Sequence, residues 1–246
     1  MKLITKICIV LFTFILFFLV LISAIDYFAF NKDIYRHIQI KHHISAYNDM
    51  AQDSLDDITS KIIDYLKSND LEMKIYDTYG KNNENNENTK KELFNFREKE
   101  HMRDVQILFR KMEKANVILI VLLFLLLLLP MLLDFKTFKK SFSSFAFGTF
   151  LLILAFLLLV LAYIFIDFYS FWNLFHELIF TNDLYIMYPE TDLLINIMPL
   201  EFFVSLCIYV AAYTGLLFLA FFVIIFGVKK NKRIKRWKND NKEAQY

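Results

Sequence analysis

Four long apolar runs constrain the fold of this chain more than any other feature. They cover residues 7–29, 117–133, 146–168 and 202–228. Each is long enough, or nearly so, to cross the hydrocarbon core of a bilayer as a helix of about 20 residues. The hydrophobic fraction of 57% agrees with this interpretation. The sequence therefore predicts an all-α membrane protein with four transmembrane helices.

The first run follows Lys2 and Lys6, as the apolar core of a cleaved signal peptide would. Its length favours the alternative, because the run extends past the roughly 7–15 residues typical of a signal core. An even number of spans also keeps both basic ends of the chain on one side of the membrane. We therefore expect residues 7–29 to be retained as the first transmembrane helix.

The distribution of charge predicts the orientation in the membrane. The segment before the first run, residues 134–145 and residues 229–246 together hold 13 basic and 3 acidic residues, a net charge of +10. The rest of the chain holds 15 basic and 23 acidic residues, a net charge of −8. Because Lys and Arg accumulate on the cytoplasmic side, both termini are predicted to be cytoplasmic, with 134–145 a cytoplasmic loop. The basic tail, 229–246, is interpreted as a topology determinant that meets anionic lipid, and nothing indicates nucleic-acid binding.

Two regions then face outward, residues 30–116 and 169–201. We expect the first to form a mainly helical extracytoplasmic domain packed on the outer end of the bundle. Apolar residues at helical spacing predict an amphipathic helix over 44–69, and a second helix is expected from about Glu92. The polar tract 81–92 between them predicts a solvated loop. Residues 169–201 are too apolar for an ordinary loop and too interrupted for a span, so they are predicted to lie in the membrane interface.

All five histidines lie in these outward regions. His37, His42 and His43 follow the first span among basic residues and are predicted to contact lipid headgroups. Neither a Cys/His metal spacing nor a phosphate-binding glycine loop is present in the sequence, so no metal or cofactor is predicted. The two remaining histidines have surroundings that suggest chemistry.

His101 lies on the apolar side of a predicted helix, the side that also carries Val105. Glu98 comes three residues before it and Asp104 three after, so either carboxylate could reach a ring nitrogen and fix its tautomer. Arg97 is on the same side and could pair with Asp104. The alternative interpretation is a partly buried helix histidine within a structural cluster of charges.

His176 lies in the apolar string FWNLFHELIF. A zinc-protease motif is excluded, because Phe180 occupies the position where the second histidine would be. Desolvation should disfavour the charged imidazole and leave a neutral ring that can accept a proton. The alternative is an interfacial histidine that only touches headgroups.

Both histidines lie in segments that resemble a known family. Residues 94–105 read F-x-x-R-E-x-x-H-M-x-D-V, and residues 175–203 resemble F-H-x-I-F-x-N-D-x-W…P…D-x-L-I…P-x-x-F-F. These patterns are similar to two signatures of the lipoprotein intramolecular transacylase (Lit) family of four-span integral membrane proteins. Tyr185 stands where the family has Trp, and the tract 81–92 looks like an insertion.

The resemblance implies an acyltransferase of the bacterial cell membrane that acts on diacylglyceryl-modified lipoproteins among membrane lipid. The reaction moves the sn-2 acyl chain to the α-amino group of the N-terminal cysteine and gives a lyso-form, N-acyl S-monoacylglyceryl lipoprotein. Aminolysis of an ester needs a base, stabilisation of the oxyanion and a proton for the leaving oxygen, which two histidines can supply without a metal.

The resemblance further implies His176 as general base and His101 as its acid or oxyanion partner. The reverse assignment and an acyl-histidine intermediate stay open at this point. We expect the two imidazoles within about 8 Å of each other, at headgroup depth in a cleft open sideways to lipid. A bend between Lys111 and Asn116 is expected too, since a straight helix would lift His101 roughly 24 Å above the second span. The supporting residues are predicted to be Glu98, Asp104, Asn182, Asp183 and Tyr185.

Two other functions are compatible with the sequence. A non-catalytic membrane scaffold or accessory protein that binds envelope components would use the histidines only for packing. A lipid ester hydrolase would use water in place of the amine. Acyl transfer within one lipoprotein conserves its mass, whereas hydrolysis removes the acyl chain, so the mass of the lipoprotein's N-terminal peptide distinguishes them.

Overall fold

The structure, a computed structural model, describes residues 2–76 and 92–243, and the side chains of all of these but 224–243. The regular secondary structure of these residues is helical, apart from one isolated antiparallel bridge between Tyr76 and Glu92. The all-α prediction is therefore confirmed. The helices are α1 (Lys2–Ala29), α2 (Lys32–Lys41), α3 (Ile44–Tyr47), α4 (Gln52–Lys67), α5 (Phe96–Leu133), α6 (Phe135–Ile166), α7 (Phe168–Ile179), α8 (Leu193–Ile197) and α9 (Leu200–Glu243).

Four helices are long and apolar enough to cross a membrane: α1, α5, α6 and the first part of α9, Leu200–Val223. Each covers all or most of one of the four apolar runs seen in the sequence. The many exposed large apolar side chains along α5 and α6 fit contact with lipid, which is as apolar as they are. The prediction of four membrane helices is supported by both length and composition.

The connection between α5 and α6 is shorter than the sequence suggests. We expected residues 134–145 to form a loop, but Asp134 alone separates the two helices. Its side chain accepts a hydrogen bond from the backbone N–H of Thr137 at 2.9 Å and so caps the first turn of α6. Helix α5 also continues without a break through residues 111–116, where a bend was expected.

The amphipathic segment 44–69 forms two helices rather than the single one predicted. Helix α3 ends at Tyr47, and Asp49 adopts a left-handed conformation with φ 47°. The Asn48 side chain donates to the carbonyl of Ile44 at 2.8 Å and to that of Asn196 at 2.9 Å. Tyr47, one of the apolar residues of that segment, is 86% exposed.

The chain divides into two compact units. The first comprises Met1–Ala24, Asn116–Leu159 and Ala211–Tyr246, and its described core is rich in phenylalanine, with the rings of Phe150 and Phe222 centred 4.1 Å apart. The second comprises Ile25–Ala115 and Val160–Val210 and holds helices α2, α3, α4, α7 and α8. Its buried core includes Tyr35, Ile38, Leu55, Ile62, Phe94, Met102, Ile197 and Phe202.

Candidate active site

Both motifs seen in the sequence lie in the second unit, and the start of α5 joins them. The Asn95 side chain accepts from the backbone N–H of Glu98 at 3.1 Å, and Glu98 accepts in return from the N–H of Asn95 at 2.7 Å. This reciprocal capping box fixes the start of α5 at Phe96 rather than near Glu92. The second oxygen of Glu98 accepts from the N–H of Leu194, also at 2.7 Å. Glu98 is 1% exposed, and burial raises its pKa against the effect of these backbone donors.

Asp192 also joins the two motifs by hydrogen bonds. Its carboxylate accepts from the Asn95 side chain at 2.6 Å and from the backbone N–H of Tyr188 at 2.7 Å. Burial opposes the charged form of Asp192, yet these hydrogen bonds hold its pKa below the usual value. We call Asn95, Glu98 and Asp192 the polar clamp. Asn95 and Asp192 were not among the predicted site residues, although Asn-x-x-Glu before an apolar helix signals a capping box and Asp192 is the Asp of the D-x-L-I signature.

His101 lies one turn after Glu98, on the packed side of α5 as predicted, and is 8% exposed. Burial, and secondarily the neighbouring His176, lower the pKa of His101 to about 4, while Asp104 acts in the opposite direction. Its Nδ1 is buried and has no hydrogen-bond partner within the described part of the chain. Glu98 was one of two carboxylates that could reach this ring, but its two oxygens accept from the backbone N–H groups of Asn95 and Leu194.

Asp104 and Arg97 also have other partners than expected. Asp104 accepts from the side chain of Asn182 at 2.9 Å, which links α5 to the segment after α7. Arg97 donates to the backbone carbonyl of Ile186 at 2.9 Å instead of pairing with Asp104. Residues on either side of His101 thus form hydrogen bonds that join α5 to the second motif. The Nδ1 of His101 has no hydrogen-bond partner among the described residues.

His176 faces the interior of the unit from α7 and is 7% exposed. Its Nδ1 lies 2.7 Å from the carbonyl oxygen of Trp172, one turn earlier. Because a carbonyl can only accept, we assign the proton to Nδ1, which leaves a lone pair on Nε2. Burial lowers the pKa of His176, and the bond to Trp172 partly offsets that effect. The ring is therefore neutral near pH 7, with its basic nitrogen defined by the helix backbone.

The two imidazoles are neighbours, with ring centroids 5.9 Å apart and planes inclined by 35°. This distance is within the 8 Å expected, and the pair forms although α5 is unbroken. Phe180 contacts both rings, at 5.2 Å from His101 and 5.6 Å from His176. Tyr185 stacks on His176 at 4.8 Å, and the Trp172 indole meets it edge-on at the same distance. Aromatic rings therefore pack on both imidazoles, and mostly on His176.

The remaining predicted site residues lie in the turn after α7. Asn182 accepts from the backbone N–H of Leu184 at 3.1 Å, which shapes the turn that brings Tyr185 onto His176. Partial burial, with the carboxylates of Glu177 and Asp183, raises the pKa of Tyr185, so its hydroxyl stays protonated. Asp183 itself is exposed.

The three other histidines lie away from this pair in the sequence, and one differs from expectation. His42 was predicted to contact headgroups with His37 and His43. Its Nε2 instead lies 2.8 Å from the hydroxyl of Ser205, near the start of α9. His37 and His43 are exposed. Across residues 2–76 and 92–243, no three His, Cys, Asp or Glu side chains are placed to share a metal ion.

Comparison with known proteins connects this site to a family. The sequence model described as lipoprotein intramolecular transacylase Lit matches residues 10–203, which is most of the chain and includes both motifs. The chain belongs to the Lit family. It is therefore an acyltransferase, a multi-pass integral membrane enzyme of the lipoprotein intramolecular transacylase family.

Solved structures show the same fold. The membrane-integral lipoprotein intramolecular transacylase Lit from Bacillus cereus superposes with a TM-score of 0.75 at 19% identity, covering 94% of this chain and 98% of that one. Two variants of that protein, with a histidine replaced by arginine or by alanine, give TM-scores of 0.68 and 0.67 at 18% identity. They cover 93% and 92% of this chain, and 94% and 95% of theirs. A search of curated protein sequences finds no match.

Proposed function

We propose that this member of the Lit family moves the sn-2 acyl chain of a diacylglyceryl-modified lipoprotein to the α-amino group of its N-terminal cysteine, with His176 as the general base. The observation that carries the assignment is the 2.7 Å contact between His176 Nδ1 and the Trp172 carbonyl oxygen. It fixes the tautomer in which Nε2 is free to take a proton. His101, 5.9 Å away, is the partner.

The reaction can be balanced with these two groups. The neutral α-amine attacks the ester carbonyl carbon, and the carbonyl oxygen becomes an oxyanion. The new nitrogen carries a positive charge and loses a proton to Nε2 of His176. The tetrahedral intermediate then collapses, the bond to the glyceryl oxygen breaks, and His176 returns the proton to that oxygen. One imidazole thus serves as base and then as acid.

His101 is better suited to stabilising the oxyanion than to donating a proton. With a pKa of about 4 it is neutral at pH 7, and a neutral imidazole still has an N–H that can donate a hydrogen bond. Tyr185, stacked on His176 and protonated, is a second candidate donor. The reverse assignment would require proton uptake by His101, whose pKa is lowered to about 4.

The polar clamp and the Asp104–Asn182 bond serve as supports in this proposal. They join the segment that carries His101 to the segment that carries Tyr185, and so limit relative movement of the reacting groups. A small displacement of such groups is costly, because much of the catalysis of an intramolecular transfer comes from holding donor and acceptor together. Asp183 is exposed, and its proposed contribution is limited to the electrostatic surroundings of Tyr185.

We place the imidazole pair on the extracytoplasmic side, with both termini in the cytoplasm. The charge asymmetry supports this orientation, since residues 169–201 contain no Lys or Arg while 229–246 contain eight. Residues 30–116 then form the extracytoplasmic domain, and we expect the substrate to reach the imidazole pair from the outer leaflet. The diacylglyceryl group of the substrate would enter without leaving the lipid.

The test uses the purified full-length protein in lipid vesicles with a synthetic diacylglyceryl-cysteine lipopeptide. Tandem mass spectrometry should find one acyl chain moved from the glyceryl group to the N-terminal amine at unchanged total mass. His101→Ala and His176→Ala should each abolish the transfer with the protein still folded, while His37→Ala, at an exposed position, should retain it. A product lighter by one acyl chain would indicate a hydrolase instead, and full activity of His176→Ala would exclude it as the base.

A further inference from the structure

Helix α7 has three sides of different chemistry. The side that faces the interior of its unit carries the buried residues Phe168 and His176, with Trp172 stacked at 4.5 Å on Phe203 of α9. This side accounts for the position of His176. On the other two sides, Phe171 meets Tyr163 of α6 edge-on at 5.9 Å, but the exposed leucines are not explained by packing or by the proposed reaction.

At 100° per residue, Ser170, Asn173 and Glu177 share one of these sides within about 60°. Phe171, Leu174 and Leu178 share the next, again within about 60°. Leu174 is 42% exposed and Leu178 is 76% exposed. We call the first group the polar side and the second the apolar side. A helix with separate protein-facing, polar and apolar sides is typical of one that lies in a membrane interface.

The apolar side follows directly on a membrane-spanning helix. Helix α6 ends with Phe165 and Ile166, which are 70% and 83% exposed. Only Asp167 separates it from α7, and the Asp167 carboxylate accepts from the N–H and the hydroxyl of Ser170, at 3.0 Å and 2.6 Å. The start of α7 is therefore fixed directly beside the exposed apolar end of α6, a helix long and apolar enough to cross a membrane.

We infer that the apolar side of α7, Phe171, Leu174 and Leu178, is a docking surface for the acyl chains of the adjacent lipid leaflet, with the polar side turned to water and headgroups. Continuity with the end of α6 and the lack of charge on this side select lipid as its occupant. His176 is then held at the depth where acyl chains meet headgroups. The substrate ester would then arrive from the apolar side and the amine from the polar side. This consequence rests on the proposed function, whereas the lipid contact is independent of it.

Site-directed spin labelling tests the lipid contact without using activity. The full chain, with Cys8→Ala and Cys207→Ala to remove both native thiols, would be labelled at Leu178→Cys or Asn173→Cys in phosphatidylglycerol-containing vesicles. Oxygen partitions into hydrocarbon and a nickel chelate stays in water. The ratio of oxygen to nickel accessibility should be about threefold or more higher at position 178 than at 173. Equal ratios at the two positions would overturn the inference.

A substrate comparison tests its consequence. Leu174→Gln with Leu178→Gln should lower transfer on a long-chain lipopeptide in vesicles by about tenfold. A short-chain lipopeptide dispersed in detergent should react at close to the unmodified enzyme's rate, and Asn173→Gln, on the polar side, should react normally with both. Equal loss on both substrates would contradict a docking role. A wild-type enzyme that transfers nothing, yet shows the accessibility difference, would refute the proposed function and leave the lipid contact standing.

Discussion

The pH dependence of acyl transfer should be governed by the substrate rather than by the histidines. An α-amino group has an ordinary pKa of about 7.7–8.0, and only its neutral form can attack an ester. Burial lowers the pKa of His101 to about 4 and holds that of His176 below its usual value. Near pH 7 both rings are therefore already neutral, and the amine is the reacting group that still has to lose a proton.

The size of the effect follows from this difference. At pH 6.7, about one unit below the amine pKa, roughly a tenth of the amine is neutral, so the rate should be about tenfold below its alkaline plateau. The logarithm of the rate should rise with pH with a slope close to one below about pH 7 and flatten as the pH approaches the amine pKa. His101 should add no further proton-dependent loss until the pH approaches 4.

The assay is the initial rate of N-acylation of a vesicle-embedded lipopeptide at a series of pH values, quantified by mass spectrometry. A second substrate with a less basic aminooxy group in place of the α-amine distinguishes titration of the substrate amine from titration of a histidine. The aminooxy group stays neutral to lower pH than the α-amine, so the rising part of the pH–rate profile should shift to lower pH. If the rising part of the pH–rate profile stays near pH 6.5 with both substrates, it reports a histidine of ordinary pKa, and the reasoning is refuted.

Three further results are expected. Glu98→Ala leaves two buried backbone N–H groups without an acceptor and should lower the free energy of unfolding by about 2–5 kcal/mol, measured by thermal unfolding in detergent; an unchanged Tm would contradict the clamp. Asp192→Asn should destabilise by about 1–2 kcal/mol, and adding Asn95→Asp should recover part of the loss because the exchanged pair can still hydrogen bond. His101 takes up a proton at about pH 6.5 in the unfolded state and only at about pH 4 in the folded state. The free energy of unfolding should therefore fall by roughly 3 kcal/mol in total as the pH is lowered through that range, and His101→Asn should not show this loss.

Features that depend on local sequence were predictable. The four spans follow from hydropathy over about 20 residues, and the packed side of the helix around His101 follows from helical periodicity. The neutral state of His176 also follows from its apolar neighbours. Its tautomer depends on the carbonyl one turn earlier in the same helix, which the sequence analysis did not consider, although a helix brings a residue close to the carbonyl four positions before it.

Features that depend on contacts between distant parts of the chain could not be predicted from the sequence. The break between α3 and α4 is held in part by the bond from Asn48 to the carbonyl of Asn196, 148 residues later. Helical spacing brought Glu98 near His101, but it could not show that the carboxylate turns toward Leu194, 96 residues away. Spacing identifies which side chains share a face of a helix, whereas their hydrogen-bond partners depend on which other segment covers that face.

The closeness of the two imidazoles limits how they can divide the chemistry. If both were charged at 5.9 Å, they would repel each other by about 3 kcal/mol at an effective dielectric constant of about 20, in addition to the burial that already disfavours each charge. The pair therefore accepts one proton at a time. A mechanism in which His176 receives a proton while His101 is already an imidazolium acid would pass through the doubly charged state. A mechanism in which His176 alone accepts and returns the proton, with neutral His101 donating only a hydrogen bond, avoids that state and needs no charge on His101, whose pKa is lowered to about 4.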